Sequence, residues 1–185
     1  LEKKINENKK ISYTYVSSAE AYKNHIQLID SFNVLYKNNE NFELNLILSD
    51  GPFLRPILKK IDECNFKNNI NLYFNCTQKE VVKMLHYKTD IALFVSSCET
   101  FGFILVEKMA SGLPIFSINQ SCIPEILGNN PFYFDINNPQ SLHDKLLYNF
   151  ENFDNFKKYS LLAWEKSYDY YWEKAVNDTW DFIFN

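Results

Sequence analysis

The sequence predicts an α/β fold, namely a doubly wound parallel sheet of the Rossmann-like kind with extra helices at the C-terminal end. Short apolar runs alternate with segments of helical spacing, five times over within residues 11–150. One of these runs, Asp90–Val95, is almost continuously apolar, as expected of a strand that helices cover on both faces. Residues 154–184 lack a strand pattern and are rich in charged residues and Tyr, which indicates one or two further helices.

The first part of the chain supplies two pairs of a strand and a helix. Ile11–Val16 is a β-rich run, and Glu20–Tyr36 has apolar residues at helical spacing, which predicts an amphipathic helix. Leu44–Leu48 is the second predicted strand, and turn-forming residues at 50–52 end it. Apolar residues in Phe53–Cys64 again follow helical spacing, so a second helix is expected there.

The same alternation continues up to residue 150. The predicted strands and helices are, in chain order, Ile70–Phe74, Lys79–His86, Asp90–Val95, Phe103–Ala110, Ile115–Ile118, Ile123–Leu127, Phe132–Phe134 and Pro139–Phe150. Gly112 and Gly128 follow two of these helices, where glycine ends a helix readily. We therefore divide the chain into a linker or frayed start at 1–10, a Rossmann-like domain at 11–150 and C-terminal helices at 151–185.

Composition and charge exclude several classes of function. Lys and Arg number 19 against 23 Asp and Glu, which gives a net charge of −4, so nucleic acid is not an expected partner. No apolar run approaches the ~18–20 residues of a transmembrane helix, and residues 1–10 lack the apolar core of a signal peptide. The four cysteines form no C-x-x-C pair or Cys/His cluster. We expect reduced thiols, no metal site and a cytoplasmic protein.

Small and polar residues follow the predicted strands, at the edge where open α/β sheets bind their ligands. Ser17 and Ser18 follow the first strand, and Cys76 follows the third. A longer polar loop, residues 96–102, follows the fourth strand. Because loops are polar in general, this placement alone favours an ordinary surface edge over a binding site.

The loop after the fourth strand makes a stronger case for a site. Glu99 follows a wholly apolar strand, so its carboxylate is expected at the sheet rim with little water around it. Gly102 allows a close approach of the backbone, and the helix that follows offers unpaired N–H groups to an anion such as a diphosphate. Glu107 lies about one turn into that helix, and its carboxylate could accept hydrogen bonds from the two hydroxyls of a ribose. The alternative is that Glu107 is an ordinary solvated helix residue, although its neighbours in the sequence are apolar.

Other chemistries lack support in this sequence. No G-x-G-x-x-G, P-loop or G-x-S-x-G pattern occurs, so NAD-dependent, NTPase and hydrolase functions are not expected. His25, His86 and His143 are scattered and are expected at the surface. Asp50 and Gly51 form a turn rather than a ligand-binding group.

The segment Glu99-Thr-Phe-Gly-Phe-Ile-Leu-Val-Glu107 resembles the E-x7-E motif of retaining GT-B glycosyltransferases, glycosyltransferase family 4 in particular. The continuation, Lys108–Ile115, is similar to that family's E-A-M-A-x-G-x-P-V segment. Three further segments match in the family's order, at 22–32, 48–52 and 123–126. Two Glu residues eight apart are common, whereas five ordered segments across residues 11–150 are specific.

The resemblance implies that this chain is the C-terminal, donor-binding half of a GT-B fold. In that case Glu99 would bond hydroxyls of the donor sugar and support charge on the transferring carbon. Lys23 would pair with the diphosphate and stabilise the leaving group, so Glu99 and Lys23 are the expected catalytic residues. Glu107 would bind the ribose hydroxyls.

Further donor contacts follow from the same resemblance. The backbone N–H groups expected to contact sugar or phosphate belong to Phe101, Gly102 and Phe103. The base would lie over the loop near Phe74–Cys76. Ser17 and Ser18 stand where the family often has an Arg, so a second cation for the phosphates is missing. No D-x-D motif occurs, and we expect no metal and no cofactor, with the nucleotide sugar as substrate.

The expected partners are a nucleotide-sugar donor, a missing N-terminal GT-B domain and a carbohydrate or lipid-linked acceptor, such as a surface polysaccharide or a glycolipid. The missing domain would bring the protein to the inner face of the membrane. Trp164, Trp172 and Trp180 would face that domain or pack on this one. Two alternatives stay open: a non-catalytic Rossmann-like scaffold domain, which the serines at 17 and 18 favour, and a GT-B relative such as a sugar-nucleotide epimerase or a phosphorylase.

Overall fold

Five parallel strands form the sheet. They are β1 (Ile11–Ser18), β2 (Phe42–Ser49), β3 (Ile70–Phe74), β4 (Ile91–Phe94) and β5 (Ile115–Ser117). In the computed structural model, which describes residues 1, 2, 4 and 7–184, the strands lie in the order β3-β2-β1-β4-β5. Each neighbouring pair is parallel. This is the order of a doubly wound sheet, and the predicted fold class is confirmed.

Helices connect the strands and extend the chain beyond the last one. They are α1 (His25–Lys37), α2 (Leu54–Asp62), α3 (Gln78–Lys88), α4 (Phe103–Ala110), α5 (Ile123–Leu127), α6 (Pro139–Glu151), α7 (Asp154–Ser167) and α8 (Trp172–Phe184), with 3-10 turns at Ala21–Lys23 and Lys67–Asn69. Local sequence explains two of the starts. Thr77 and Glu80 form a capping box at α3, and Asn138 caps α6 ahead of Pro139.

The helices pack on both faces of the sheet and bury it. On one face α1 contacts α2 and α6, and on the other α4 contacts α5 and α7. All four residues of β4 are buried, as its apolar sequence requires. Aromatic rings fill much of the space between sheet and helices: Tyr13 meets Phe32 edge-on at 5.2 Å, and Phe116 stacks on Phe132 at 4.8 Å between ring centroids.

The strand order reverses between β1 and β4. Their pairing ends at Tyr15 and Leu93, whereas the pairing of β1 with β2 continues to Ser18. The strands β1 and β4 therefore diverge at their carboxyl ends, the position where ligands bind in sheets of this topology. We call the sheet edge where residues 17–24 meet residues 95–102 the switch crevice.

The helix predicted at Glu20–Tyr36 is interrupted in the structure. A 3-10 turn ends at Lys23, Asn24 adopts the left-handed conformation with φ 55°, and α1 then begins. Asparagine tolerates this conformation better than most residues. The Asn24 amide donates a hydrogen bond of 2.7 Å to the carbonyl oxygen of Val95, so the interruption is tied to the loop after β4.

The predicted last strand at Phe132–Phe134 is wrong in its extent. Its backbone makes a single parallel bridge, between Ser117 and Tyr133, because β5 offers only three residues at the sheet edge. Asn130 donates to the carbonyl oxygen of Ile115 at 2.8 Å and fixes the approach of this segment.

Two helices follow residue 151, in agreement with the sequence pattern. The α7 helix packs on α4, and Trp172 at the start of α8 stacks on Phe103 with 6.2 Å between ring centroids. The boundaries 1–10, 11–150 and 151–185 stay predictions, and residues 3, 5, 6 and 185 lie outside the described residues. Among the helices of the described part, none combines the length and apolarity needed to traverse a bilayer.

Candidate functional site

Lys23 and Glu99 meet in the switch crevice. The Lys23 ammonium donates a hydrogen bond to Oε1 of Glu99, and the two side chains are 11% and 14% exposed. The hydroxyl of Tyr15 donates to the carbonyl oxygen of Lys23 at 2.9 Å and supports the turn from within the core. Two residues that the sequence separates by 76 positions are thus an ion pair largely shielded from water.

The backbone of Glu99 is held by the loop after β5. Ser121 Oγ donates to the carbonyl oxygen of Glu99 at 2.8 Å and accepts from its N–H at 3.1 Å. Ser121 itself is in the left-handed region with φ 55°. This contact was not predictable from the sequence, because a serine in a polar loop carries no signal of its partner.

Gly102 opens the α4 helix beside Glu99. Its φ is 79°, a conformation that favours glycine. A Cβ placed there would lie 3.1 Å from Cζ of Phe94, so a larger residue would also displace that ring. The first N–H groups of α4 have no acceptor within the helix and carry its positive dipole end. Because Glu99 Cγ lies 3.9 Å from the same Cβ position, this helix end faces the crevice.

Glu107 is oriented by a contact that the sequence did not reveal. Gln78, the first residue of α3, donates from its amide to Oε1 of Glu107. The second oxygen, Oε2, is buried and has no hydrogen-bond partner among the described residues. Glu107 is therefore not a solvated helix residue: its carboxylate is fixed, with one acceptor oxygen left over.

Aromatic residues flank Glu107. Phe101 packs edge-on against Phe103 at 5.1 Å and against Tyr170 at 5.4 Å between centroids. Phe103 is 63% exposed and stacks on Trp172. With Glu107 these rings line a cavity of about 370 Å³. The predicted contacts of Phe101 and Phe103 through their backbone stay predictions.

Ser17 is bound to a buried histidine. Its hydroxyl lies 2.7 Å from Nε2 of His25, which is 1% exposed. Burial, and then the charge of Lys23, lower the pKa of His25 to about 4, so the ring is neutral at neutral pH. The expectation of surface histidines is wrong for His25 and for His143, which is 7% exposed, because both lie on helix faces that pack inward.

Ser18 and Cys76 lie at the carboxyl ends of their strands, as predicted from the sequence. Ser18 is the last residue of β1 and is half-buried. Cys76 is half-buried beside Val81 in a small apolar cluster, where burial raises the pKa of its thiol and the charge of Glu80 adds to this. No group of three His, Cys, Asp or Glu side chains suited to a metal ion occurs in the described part of the chain.

The arrangement favours an anion next to hydroxyl groups. A lysine ammonium and the N-terminal end of α4 are positive, and two carboxylates beside them accept hydrogen bonds. These four features lie in three parts of the chain, at 20–24, 99–103 and 107. Each part contains residues that the sequence had already predicted for the site.

Comparison with known proteins identifies the family. Residues 1–160 match the profile of the family described as "Glycosyl transferases group 1". An uncharacterised glycosyltransferase of Methanocaldococcus jannaschii is 30% identical over 141 residues, 74% of this chain and 38% of that protein. N-acetyl-alpha-D-glucosaminyl L-malate synthase of Bacillus anthracis is 26% identical over 104 residues, 55% of this chain and 26% of that protein. The chain thus spans well under half of these relatives.

Solved structures share the fold. A mutant of TarM from S. aureus, in complex with fondaparinux, alpha-GlcNAc-glycerol and UDP, superposes with a TM-score of 0.80 at 18% identity over 95% of this chain and 36% of that chain. The pneumococcal O-GlcNAc transferase GtfA, in complex with UDP and GlcNAc, gives 0.70 at 15% identity over 94% of this chain and 35% of that chain. Since the family profile covers most of its length, this chain belongs to the group 1 glycosyl transferases.

Proposed function

We propose that this chain is the donor-binding domain of a retaining glycosyltransferase of family 4, which binds a nucleotide diphosphate sugar in the switch crevice. The observation that carries the proposal is the meeting of Lys23, Glu99 and the N-terminal end of α4 where β1 and β4 diverge. The Lys23 ammonium and the N-terminal end of α4 are both suited to binding a diphosphate. The TarM mutant, which shares this fold, was solved in complex with UDP, and this supports a nucleotide diphosphate as the ligand.

Each residue of the crevice takes a role that its surroundings support. Lys23 transfers its contact from Glu99 to the diphosphate and stabilises the charge that develops on the leaving group. Glu99, freed from that contact and held through its backbone by Ser121, bonds the sugar hydroxyls and supports positive charge on the transferring carbon. The α4 N–H groups at Gly102 and Phe103 meet the phosphate oxygens.

The nucleoside extends from the crevice toward α3. Glu107 accepts hydrogen bonds from the ribose hydroxyls with its carboxylate, which Gln78 orients through a hydrogen bond to Oε1. From there the base lies over the loop after β3, beside Phe74 and Cys76. Phe74 is 47% exposed and offers a ring face for the base.

The remaining parts of the reaction are assigned to groups outside this chain. The chain covers 38% and 26% of the two relatives described above, which supports an N-terminal GT-B domain that completes the cleft. That domain would bind the acceptor, a polysaccharide or a glycolipid. The proposed location is the cytoplasm, with the inner face of the membrane reached through that domain.

A non-catalytic scaffold domain is the second candidate. Ser17 and Ser18 place no cation beside the diphosphate position, and Ser17 is already bound to His25. Nucleotide binding separates the two functions, because a scaffold that lost turnover need not keep an oriented Glu107. An epimerase or a phosphorylase would instead bind the nucleotide or the sugar and give a different product.

Calorimetric titration of the intact protein with UDP, GDP and ADP tests the proposal. One of these nucleotides should bind, and Glu107→Ala should weaken that binding. Glu99→Ala should leave nucleotide binding in place but lower sugar transfer, because Glu99 acts on the sugar. Glu63→Ala, at an exposed carboxylate paired with Lys59, is the matched control. Absence of binding for all three nucleotides, or normal transfer by both Glu107→Ala and Glu99→Ala, contradicts the proposal.

A further inference from the structure

Lys108 places an amine where α4 should be apolar. Leu105, Lys108 and Met109 form the sheet-facing side of this helix, and all three are 0% exposed. Leu105 and Met109 pack as their spacing predicts. Lysine is rarely fully buried because its charge loses hydration there, so this position calls for a physical reason.

The surroundings of the amine are nearly neutral. Lys108 Nζ donates one hydrogen bond, of 2.7 Å, to the carbonyl oxygen of Leu93. The rings of Phe94 and Tyr15 lie with their centroids 4.9 and 5.4 Å from Nζ, and aromatic faces attract a cation. The acceptor is a backbone carbonyl and not a carboxylate, so the charge of a protonated Lys108 is not cancelled at its own position.

This amine lies directly under the switch crevice. Leu93 and Tyr15 are the last paired residues of β4 and β1 before the strands diverge. The hydroxyl of Tyr15 then donates to the carbonyl oxygen of Lys23. One tyrosine side chain therefore spans the distance between Lys108 and the residue that we propose for diphosphate binding.

The charge of Lys108 is coupled to the charges of the crevice. Burial lowers the pKa of Lys108 to about 7, Glu107 and Glu99 act to raise the pKa, and Lys23 acts to lower it. These three groups, from α4, the loop after β4 and the turn after β1, are the charges that act on the amine. Tyr15, the titratable group packed against it, is held neutral because burial raises its pKa. An added anion in the crevice favours the ammonium form.

We propose that Lys108 is a positioning residue of the donor site, whose buried amine takes up a proton from solvent when a nucleotide diphosphate binds and attracts that diphosphate without touching it. The inference rests on the proposed function and extends it, because it makes donor affinity depend on pH. Protonation of Nζ adds one positive charge beneath the diphosphate. The positive charge is present in the complex and largely absent from the empty protein above neutral pH.

Titration of the intact protein with UDP, in buffers of different ionisation enthalpy, tests the inference on the Lys108→Met variant. Methionine is unbranched like lysine and only one heavy atom shorter, and it carries no charge. At about pH 6 the variant should bind UDP about tenfold more weakly than the unaltered protein, which is the ratio that one unit of pKa change represents. The ratio should approach one at about pH 9, and the variant should take up fewer protons at neutral pH. Ionisation of UDP itself cancels in this comparison.

Thermal unfolding separates this role from a structural one. Because the variant removes a buried amine that is costly to charge, its Tm should rise by a few degrees. Lys166→Met is the control, since Lys166 in α7 also donates to a carbonyl oxygen at 2.7 Å, that of Glu125, and it should leave UDP affinity unchanged.

Two results overturn the inference while the proposed function stands. One is equal affinity and equal proton uptake in the unaltered protein and Lys108→Met. The other is a fall in Tm, or failure to fold, in both Lys108→Met and Lys108→Leu, which would mark a structural role. If the unaltered protein binds none of UDP, GDP and ADP, the proposed function fails and the inference fails with it.

Discussion

The ion pair of Lys23 and Glu99 should contribute measurably to folding stability, and a double-mutant cycle isolates its contribution. The two side chains are 11% and 14% exposed, between an exposed pair and a fully buried one. Exposed pairs contribute roughly 0.2–1 kcal/mol, and breaking a buried pair costs roughly 3–5 kcal/mol. We therefore expect a coupling free energy of about 1–3 kcal/mol between Lys23→Met and Glu99→Gln.

Urea unfolding of four proteins measures this coupling: the unaltered chain, each single variant and the double variant. Lys23→Met should be the more damaging single change, because it leaves a poorly hydrated carboxylate without its cation. The pair of Lys59 and Glu63 is the matched control, since its side chains are 77% and 61% exposed and its charges are 3.8 Å apart. Its coupling should stay below about 0.5 kcal/mol. An equally small coupling for Lys23 and Glu99 would refute the reasoning.

Three further changes test the crevice and its supports. Gly51→Ala should cost about 3 kcal/mol or more in urea unfolding, because the new Cβ would lie 2.3 Å from a backbone atom, the carbonyl oxygen of Ala19. The buried, neutral His25 has a pKa of about 4 in the folded chain against about 6.5 when unfolded. The unfolded chain then binds more protons between these values, and stability should fall by about 3 kcal/mol as the pH drops from 6.5 to 4, a loss that His25→Gln removes. Gln78→Ala should weaken UDP binding about 3- to 10-fold, because Glu107 loses the hydrogen bond that orients it.

Each of these changes has a control on the same chain. Gly112→Ala meets no atom within 4 Å, so it should cost only the left-handed strain of about 1–2 kcal/mol. His86→Gln alters an exposed ring, and the loss of folding stability between pH 6.5 and 4 should be the same in this variant as in the unaltered chain. Lys79→Ala, next to Gln78, should not alter UDP affinity. Equal effects in a variant and its control would contradict the structural reason for that variant.

Alternation of strands and helices was predictable because burial on both faces leaves a direct pattern. The run Asp90–Val95 is almost continuously apolar since β4 lies between β1 and β5 and is buried by helices on both faces. The left-handed break at Asn24 was not predictable, because apolar spacing continues through the turn and the helix alike. That break depends on a hydrogen bond to Val95, 71 positions away.

The candidate site was predictable only in its motif residues. Glu99, Gly102 and Glu107 could be chosen from spacing and from the strand that precedes them. Gln78, which orients the Glu107 carboxylate, and Ser121, which holds the Glu99 backbone, could not, because their contacts arise from tertiary packing. The sequence shows Lys108 in the segment that continues the motif, but it does not predict that its side chain is buried. That burial follows only from the packing of α4 on the sheet.

The most direct test of donor binding in the switch crevice is a crystal structure of the intact protein with UDP. We predict a diphosphate oxygen within hydrogen-bond distance of Lys23 Nζ and of the N–H groups at Gly102 or Phe103. The ribose hydroxyls should lie against Glu107. UDP bound elsewhere on the chain, with the ion pair of Lys23 and Glu99 intact and the α4 N-terminal end unoccupied, would contradict the account.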